Sequence, residues 1–455
     1  MSNIFNNTVV GISTALGVGA ISIVRLSGND AISIVNKAFK GKDLTKVSTH
    51  TVHYGYIIDP ETKEIYDEVL VTVFKAPKTF TREDIVEINC HGGILVTNRI
   101  LELMISLGAE MAEPGEFTKR AFLNGRIDLT EAEAVMDMIE AKSKMALSLA
   151  KQGLLGDVKE LIQNLRNQIL SIMAHIAVNI DYPEYDDATE LTNSIIKPEI
   201  ESLIQEINDI LKYADTARMV KEGVLTAIIG RPNVGKSSLL NALLRENKAI
   251  VTNIAGTTRD IVEGTLHLGG ITLNLVDTAG IHHTEDLIEK IGVEKSKQAI
   301  DKAELILIVF DGSEELRSED YQLLELVKDK KHIKVVNKMD LDLKINLDEL
   351  GECILISSTK YDDIHRLEEA ILGYINVNEL NTTDMTYISN ARHISLIKEA
   401  KSALNESLQA ISSDVPIDFI DVYLQQAWHA LGAIMGEVSD DDIISELFSK
   451  FCLGK

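Results

Sequence analysis

The sequence predicts a multidomain α/β protein with an N-terminal α+β domain, an all-α helical domain, and an inserted domain in which helices flank a mixed β-sheet. Three observations support this fold class. Strand and helix patterns alternate through residues 1–120. Helical spacing dominates from about Leu129 and again from about Ile388. Between these stretches, strand patterns run from "VLTAIIG" to residue 376.

These patterns divide the chain into four segments that form three domains. We expect the N-terminal domain over residues 1–120 and the inserted domain over 223–376. The helical domain is then discontinuous, with its halves at 121–222 and 377–455. Four separate domains in a row are the alternative.

Individual elements follow from local spacing. "NTVVGIST", "AISIVRLSG", "THTVHYGYII", "EIYDEVLVTVFKAP" and "DIVEINCHGG" are expected strands, and "GILVTNRILELMISLGA" is an expected helix. "TEAEAVMDMIEAKSKMALSLA" has the spacing of one long helix, with a capping box that starts at Thr130. The last helix carries an apolar stripe that includes Phe448 and Phe451, and Gly454 is expected to end it.

Composition indicates the class of protein and the cellular compartment in which it works. Hydrophobic residues make up 45% and charged residues 25%, as in ordinary globular proteins. Three widely spaced cysteines (Cys90, Cys353 and Cys452) argue against a disulfide framework and for a reducing compartment. No stretch has the length of a transmembrane helix, so we expect a cytoplasmic protein with no membrane partner. The net charge of −25 means that any nucleic-acid site must be a local basic patch.

The clearest motif is "GRPNVGKSS", residues 230–238, which follows a buried strand and opens a helix. Backbone N–H groups of such a loop cradle phosphates, Lys236 can reach the β- and γ-phosphates, and the Ser237 hydroxyl can ligate Mg²⁺. Taken alone, the motif could be a chance glycine-rich turn. The motifs that follow it in order argue against chance.

Four further motifs complete the set. "GTTRD" supplies Thr258 for the magnesium shell, and the second strand of a Gly-Gly hairpin delivers Asp277 and Gly280. The Asp340 carboxylate of "NKMD" can accept two hydrogen bonds from guanine, and "ISS" supplies a loop for guanine O6. The five motifs resemble those of translation-factor-like GTPases, with GTP as substrate and Mg²⁺ as cofactor. The expected GTP-binding residues are Asn233, Val234, Gly235, Lys236, Ser237, Ser238, Thr252, Asn253, Ile254, Ala255, Gly256, Thr257, Thr258, Asp277, Thr278, Ala279, Gly280, Asn337, Lys338, Asp340, Ser357, Ser358 and Thr359.

The catalytic groups depart from the Ras pattern. Ile281 stands where Ras-like enzymes carry a glutamine that orients the attacking water. Glu289 is a candidate for that role, although its spacing alone favours an ordinary solvated glutamate on a helix. No arginine in the motifs is placed to neutralise transition-state charge. The side chain of Asn233 could instead ligate a monovalent cation beside the phosphates.

Beyond these motifs, the whole chain resembles one family. "NTVVGISTALGVGAISIVRLSG", "EDIVEINCHGG", "PGEFTKRAFLNGRIDLTEAEAVMDMI" and the ending "LGAIMGEVSDDDIISELFSKFCLGK" are similar to the MnmE (TrmE) family of tRNA-modification GTPases. The resemblance implies a tetrahydrofolate-binding N-terminal domain, a homodimer formed mainly through that domain, and potassium-stimulated GTP hydrolysis. It also implies a flavoprotein partner, MnmG (GidA). With it, the family installs an aminomethyl or carboxymethylaminomethyl group on C5 of the wobble uridine of certain tRNAs.

The resemblance also implies roles for particular residues. Potassium would be held by Asn233, Thr252, Ile254 and Thr257. Glu289 would be catalytic, and 5,10-methylene- or 5-formyl-tetrahydrofolate would contact Arg25, Glu87, Arg126 and Lys455. The family often has lysine at the position of Arg126, and each of the first three residues could instead form an ordinary surface ion pair. Cys452 would serve the modification chemistry, with a terminal thiol of no function as the alternative.

Two other classes of protein remain open at this point. One is a GTPase switch that binds ribosomal RNA as an assembly factor, which would carry similar nucleotide motifs. The other is a stand-alone folate-dependent methyl- or aminomethyltransferase with a regulatory GTPase domain.

Overall fold

The computed structural model describes residues 6–181, 195–246, 262–276, 300–375, 380, 386–413, 415–437, 441–451 and 454. The chain divides into two compact units: Met1–Met136 with Leu431–Lys455, and Asp137–Ala430. Both contain helices and strands, so the predicted multidomain α/β class is confirmed. The four-segment domain division stays a prediction.

A seven-stranded sheet forms the centre of the first unit, with the strand order β3-β4-β5-β6-β2-β1-β7. All neighbours are antiparallel except β1 and β7. Alternate side chains of these strands are buried on one face against two helices, because side chains of a strand point to opposite faces in turn. The strands are β1 (Val9–Ile12), β2 (Ile21–Ser27), β3 (Phe39–Lys40), β4 (Thr51–Ile58), β5 (Ile65–Phe74), β6 (Ile85–His91) and β7 (Glu110–Met111).

A second small core in the first unit joins distant parts of the chain. Leu129, Ala132 and Met136 pack with Phe448 and Phe451 from the C-terminal region. This packing holds the last helix against the N-terminal part of the chain.

The second unit is built on a six-stranded sheet in the order β13-β12-β11-β8-β10-β9. Every neighbouring pair is parallel except β9 and β10, which form a hairpin around Gly269 and Gly270. The mainly apolar centre of the sheet is buried on both faces, as parallel sheets require. The strands are β8 (Val224–Ile229), β9 (Val262–Leu268), β10 (Ile271–Val276), β11 (Leu305–Asp311), β12 (His332–Asn337) and β13 (Ile354–Leu355).

The helices follow the predicted order. They are α1 (Ala31–Ala38), α2 (Ile94–Ser106), α3 (Glu116–Leu123), α4 (Leu129–Glu140), α5 (Lys144–Leu155), α6 (Asp157–Asp181), α7 (Lys197–Lys212), α8 (Ala214–Glu222), α9 (Lys236–Glu246), α10 (Ser318–Val327), α11 (Leu347–Leu350), α12 (Tyr361–Tyr374), α13 (Ala391–Ser412), α14 (Ile417–Met435) and α15 (Asp441–Ser449). None of the helices within the described ranges is long and apolar enough to cross a bilayer.

Two local predictions about helix ends were wrong. The single long helix predicted from Thr130 is two helices, because Ser143 accepts a hydrogen bond from the Ala146 N–H and starts α5 as its N-cap. The capping box of α4 is formed two residues earlier than predicted, by Asp128 and Glu131.

The end of the last helix also differs from the prediction. It ends at Ser449, five residues before Gly454. Gly454 therefore does not cap the helix but occupies a left-handed conformation of its own, with a φ of 83°.

Candidate functional site

The loop between β8 and α9 has a backbone suited to an anion. Gly230, Asn233 and Gly235 all have positive φ angles, of 155°, 65° and 96°. Asparagine tolerates this region better than most non-glycine residues. The loop ends at the N-terminus of α9, where unpaired backbone N–H groups and the helix dipole favour negative charge. The backbone of this loop therefore fits the phosphate loop that the sequence predicts.

Lys236 lies inside this loop. Its Nζ donates to the carbonyl oxygens of Gly230 over 2.8 Å and of Arg231 over 2.7 Å. Burial lowers the pKa of the Lys236 ammonium. In the described part of the chain, no carboxylate forms an ion pair with this ammonium. A phosphate group would supply the negative charge that this half-buried cation lacks.

The guanine motif meets the phosphate loop directly. Asn337, at the end of β12, is buried, and its Nδ2 donates to the Val234 carbonyl over 3.1 Å. Its Oδ1 accepts from the backbone N–H of Ser358 over 3.1 Å and from the hydroxyl of Ser358 over 2.8 Å. Gly235 is required beside it, because a Cβ there would lie 2.2 Å from Asn337 Nδ2.

Asp340 is held by the neighbouring loop. Its Oδ1 accepts from the Ser357 hydroxyl over 2.6 Å, and this bond lowers the pKa of the carboxyl group. Ser357 is fully buried, and its backbone N–H donates to Asp363 over 2.8 Å. A carboxylate that stays ionised and oriented suits recognition of the paired N–H donors of guanine.

An open cavity of about 490 Å³ lies beside these motifs. Its volume falls within the range of ligand pockets. It is lined by Ser238, Asn241, Ala242, Ser358, Thr359, Lys360, Tyr361 and Ile364. Three expected GTP-binding residues (Ser238, Ser358 and Thr359) therefore line one cavity.

Several expected site residues lie outside the described residues. They are Thr252, Asn253, Ile254, Ala255, Gly256, Thr257, Thr258, Asp277, Thr278, Ala279, Gly280, Ile281, Glu289, Cys452 and Lys455. Their predicted roles stay predictions. For the metals, the described residues offer the Ser237 hydroxyl and the amide of Asn233, both exposed at the phosphate loop. Hydroxyl and amide oxygens are suitable donors for Mg²⁺ and for a monovalent cation.

A second cavity, of about 530 Å³, lies in the first unit. Arg25, Glu87 and Arg126 all line it, so the structure brings together the three residues that the family resemblance grouped. We call it the N-terminal cavity. It is lined by Arg25, His50, Phe74, Pro77, Lys78, Thr79, Phe80, Ile85, Glu87, Phe117 and Arg126.

Arg25 and Glu87 are neighbours because β2 and β6 pair in antiparallel register, with these two residues directly opposite. Arg25 donates to Glu87 through Nε over 2.8 Å, and its Nη2 lies 2.7 Å from the same carboxylate oxygen. The guanidinium also lies 5.6 Å from the centre of the Phe117 ring. The two side chains are 25% and 20% exposed, so this ion pair lies at the wall of the cavity rather than in a core.

The lining of the N-terminal cavity carries groups that could hold a folate. Arginines and a lysine can bind carboxylates, Glu87 can accept from pterin N–H groups, and phenylalanine rings can stack on a flat heterocycle. The C-terminal segment reaches the same place. The Gly454 carbonyl accepts from the Ser13 hydroxyl over 3.0 Å and lies 3.4 Å from Arg25 Nη1.

Some residues at these sites were missed from the sequence. Lys78, His50 and the phenylalanines of the N-terminal cavity carry no motif, and only the folded sheet brings them together. Asp311 and its partner Lys338 were also missed as a pair, since 27 residues separate them. An aspartate at the carboxyl end of a buried strand was the available signal.

A phosphate loop after the first strand of a mainly parallel sheet, with Asn-Lys-x-Asp after a later strand, defines a P-loop GTPase. Comparison with known proteins identifies the family within this class. The profile of the MnmE helical domain matches residues 129–452, and the profile of the GTP-binding protein TrmE N-terminus matches residues 8–126. The chain belongs to the MnmE (TrmE) family.

Relatives match over nearly the full length. The chain is 50% identical to the tRNA modification GTPase MnmE of Bacillus cytotoxicus over 455 residues, which cover 99% of both chains. It is 52% identical to the protein of that name from Lactobacillus helveticus, over 99% of this chain and 98% of that one. With the Staphylococcus aureus protein the identity is 51% over 99% of each. Among solved structures, Era in complex with MgGDPNP and a 16S ribosomal RNA fragment is 31% identical over 40% of this chain and 66% of that chain, with a TM-score of 0.27.

Proposed function

We propose that this protein is a potassium-stimulated GTP hydrolase that takes part in tRNA wobble-uridine modification. With a flavin-dependent partner of the MnmG (GidA) type, it uses a tetrahydrofolate one-carbon unit to install an aminomethyl or carboxymethylaminomethyl group on C5 of that uridine. The observation that carries the proposal is the full-length similarity, at about half identical residues, to tRNA modification GTPases.

The nucleotide site supports the hydrolase part of the proposal. Lys236 binds the β- and γ-phosphates, the Ser237 hydroxyl ligates Mg²⁺, and Asp340 selects guanine. Potassium at Asn233 supplies positive charge beside the phosphates when bound. Glu289 orients the attacking water, because Ile281 has no polar group for that task.

The N-terminal cavity supports the folate part of the proposal. Its charged and aromatic lining fits a flat heterocycle that carries carboxylates, as argued above. Lys455 adds a cationic contact to those of Arg25 and Arg126, and Cys452 takes part in the modification chemistry. The contact between Gly454 and Arg25 supports this assignment, because it brings the C-terminal segment to the wall of the cavity.

The remaining parts of the proposal concern partners and location. We propose a cytoplasmic homodimer that associates with the flavoprotein and with tRNA. The family membership supports each of these.

Nucleoside analysis of tRNA tests the proposal as a whole. A strain that lacks the gene should lose the modified wobble uridine, and the wild-type chain should restore it. Lys236→Ala should fail to restore it because phosphate binding is lost. Lys328→Ala removes an exposed lysine that forms an ion pair with Glu325, three residues earlier, and this variant should restore the modification fully. Intact modification in the deletion strain, together with accumulated ribosomal precursors, would favour the ribosome-assembly alternative.

A further inference from the structure

Asp311 is a buried carboxylate that lies outside the five nucleotide motifs. It ends β11 and is 5% exposed. Its Oδ2 accepts from Lys338 Nζ over 2.6 Å. Its Oδ1 accepts from the backbone N–H of Ser313 over 2.9 Å and from the Ser313 hydroxyl over 2.6 Å. Both carboxylate oxygens of Asp311 therefore accept hydrogen bonds.

The sheet explains why these residues meet. In the parallel pair of β11 and β12, Asp311 lies beside Asn337, and the Gly312 N–H donates to the Asn337 carbonyl over 2.9 Å. Lys338 is the next residue and has a φ of 65°, a left-handed conformation that lysine seldom adopts. This turn and the ion pair together direct the Lys338 side chain back toward β11.

The surroundings of Asp311 favour its ion pair with Lys338. Burial alone would raise the pKa of Asp311, but the hydrogen bonds from Lys338 and Ser313 outweigh burial and leave the pKa below its usual value. The carboxylate is thus ionised at neutral pH. The side chain of Lys338 remains 32% exposed, so it lies at the surface and not within the core.

We propose that Asp311 is a positioning residue for nucleotide binding, which holds the Lys338 stem in place to cover one face of the bound guanine base. The inference rests on the proposed assignment of "NKMD" as the guanine motif. Lysine stems cover apolar surface while the ammonium stays with a polar partner, and a cation near an aromatic face is attracted to it. Because Asp311 orders the stem before nucleotide arrives, binding loses less side-chain entropy.

A double-mutant cycle on the full chain tests this. GDP affinity is measured for the wild type, Asp311→Asn, Lys338→Ala and the double variant. Asparagine has the shape of aspartate and can still accept hydrogen bonds from Ser313, so the fold of Asp311→Asn should persist. The unfolding temperature of the variant checks this expectation. We expect Asp311→Asn to weaken GDP binding about tenfold and Lys338→Ala at least as much. The double variant should bind no more weakly than Lys338→Ala, since Asp311 acts through that lysine.

The affinity for a second nucleotide distinguishes a positioning role of Asp311 from a general loss of structure. Inosine diphosphate lacks the 2-amino group that Asp340 recognises but keeps the flat ring. The ratio of GDP to IDP affinity should be unchanged in Asp311→Asn and should collapse in Asp340→Asn. Glu304→Gln is the matched control, because it removes a 3.0 Å ion pair with Arg218 in the same unit without touching the nucleotide motifs. It should leave GDP affinity unchanged.

The outcomes are distinct. Additive losses in the double variant, or GDP affinity in Asp311→Asn equal to that of the wild type, would overturn the inference while the proposed function stands. Absence of any guanine-nucleotide binding by the wild-type chain would overturn both.

Discussion

The amide of Asn337 is joined to the carbonyl oxygen of Val234 by a buried hydrogen bond of 3.1 Å. This one bond links the guanine motif, at the end of β12, to the phosphate loop, 103 residues earlier in the chain. The same side chain is held from its other end by Ser358. Three separate segments of the nucleotide site therefore share a single buried side chain.

We expect Asn337→Ala to weaken both nucleotide binding and the fold. The change leaves the Val234 carbonyl and the Ser358 N–H without their partner, at a cost of about 1–3 kcal/mol for each buried unsatisfied group. GDP affinity measured by titration calorimetry should fall strongly, and the unfolding temperature should fall with it. Asn346→Ala is the control, because Asn346 is an exposed N-cap of the short helix α11. An Asn337→Ala protein with wild-type GDP affinity would contradict the assignment.

The stimulation of GTP turnover by potassium should require Asn233. GTP turnover is expected to be several-fold faster in KCl than in NaCl at equal ionic strength, because the cation adds positive charge where no arginine is placed. Asn233→Ala should remove the difference. Since Asn233 has a φ of 65°, alanine also strains the loop, so Asn233→Gly is the better test: it removes the amide without backbone strain. Equal turnover of the wild type in both salts would end this hypothesis.

Glu289 is expected to act in the transition state. Glu289→Ala should lower the turnover number by orders of magnitude and leave GTP affinity nearly unchanged, as for a group that orients water during the reaction. Single-turnover hydrolysis and nucleotide titration measure the two effects separately. Glu285→Ala, four residues earlier, is the control for loss of an acid in the same segment. Near-normal turnover of Glu289→Ala would assign that glutamate to a solvated helix surface.

The two sites were predictable from the sequence to different degrees. The phosphate loop and "NKMD" are each contiguous, so their residues could be named before the structure was known. The ion pair between Arg25 and Glu87 depends on the register of β2 with β6, across 62 residues, which periodicity does not determine. The family resemblance supplied those two residues instead. Lys338 was named from "NKMD", but neither the motif nor the resemblance indicated its pairing with Asp311, since their contact requires both a parallel register and a left-handed turn.

Glu87→Gln should distinguish a folate contact from an ordinary ion pair. If the carboxylate binds the heterocycle, tetrahydrofolate affinity should fall about tenfold or more, because a charged hydrogen bond is lost. Glu64→Gln is the matched control: it breaks an exposed pair with Arg99 in the same unit, at 3.1 Å and outside the N-terminal cavity. Such pairs contribute only about 0–1 kcal/mol to stability, so both proteins should unfold at nearly the wild-type temperature. Equal folate affinity in the two variants would mean that Glu87 forms only a surface ion pair and does not bind folate.

The C-terminal segment is held in place at Gly454. Its φ of 83° favours glycine, and a Cβ at this position would lie 1.9 Å from the Ile12 carbonyl oxygen. Its own carbonyl accepts from Ser13, beside β1. Gly454→Ala should therefore release the segment from its place beside Arg25 and keep both the thiol of Cys452 and the ammonium of Lys455 in the chain.

Deletion of residues 452–455 should separate the two activities of the protein. The apolar core that holds α15 ends at Phe451, which remains, so the fold should lose little stability. The phosphate loop is untouched, so potassium-stimulated GTP hydrolysis should continue near its original rate. Folate affinity should fall as a cationic contact is lost, and modified wobble uridine should disappear from the tRNA of a complemented deletion strain.

Cys452→Ser should impair modification with less effect on folate binding, whereas Gly454→Ala should impair both in part. Restoration of the modified uridine by the truncated protein would refute a functional tail, and loss of GTP hydrolysis on truncation would assign the tail a structural role instead.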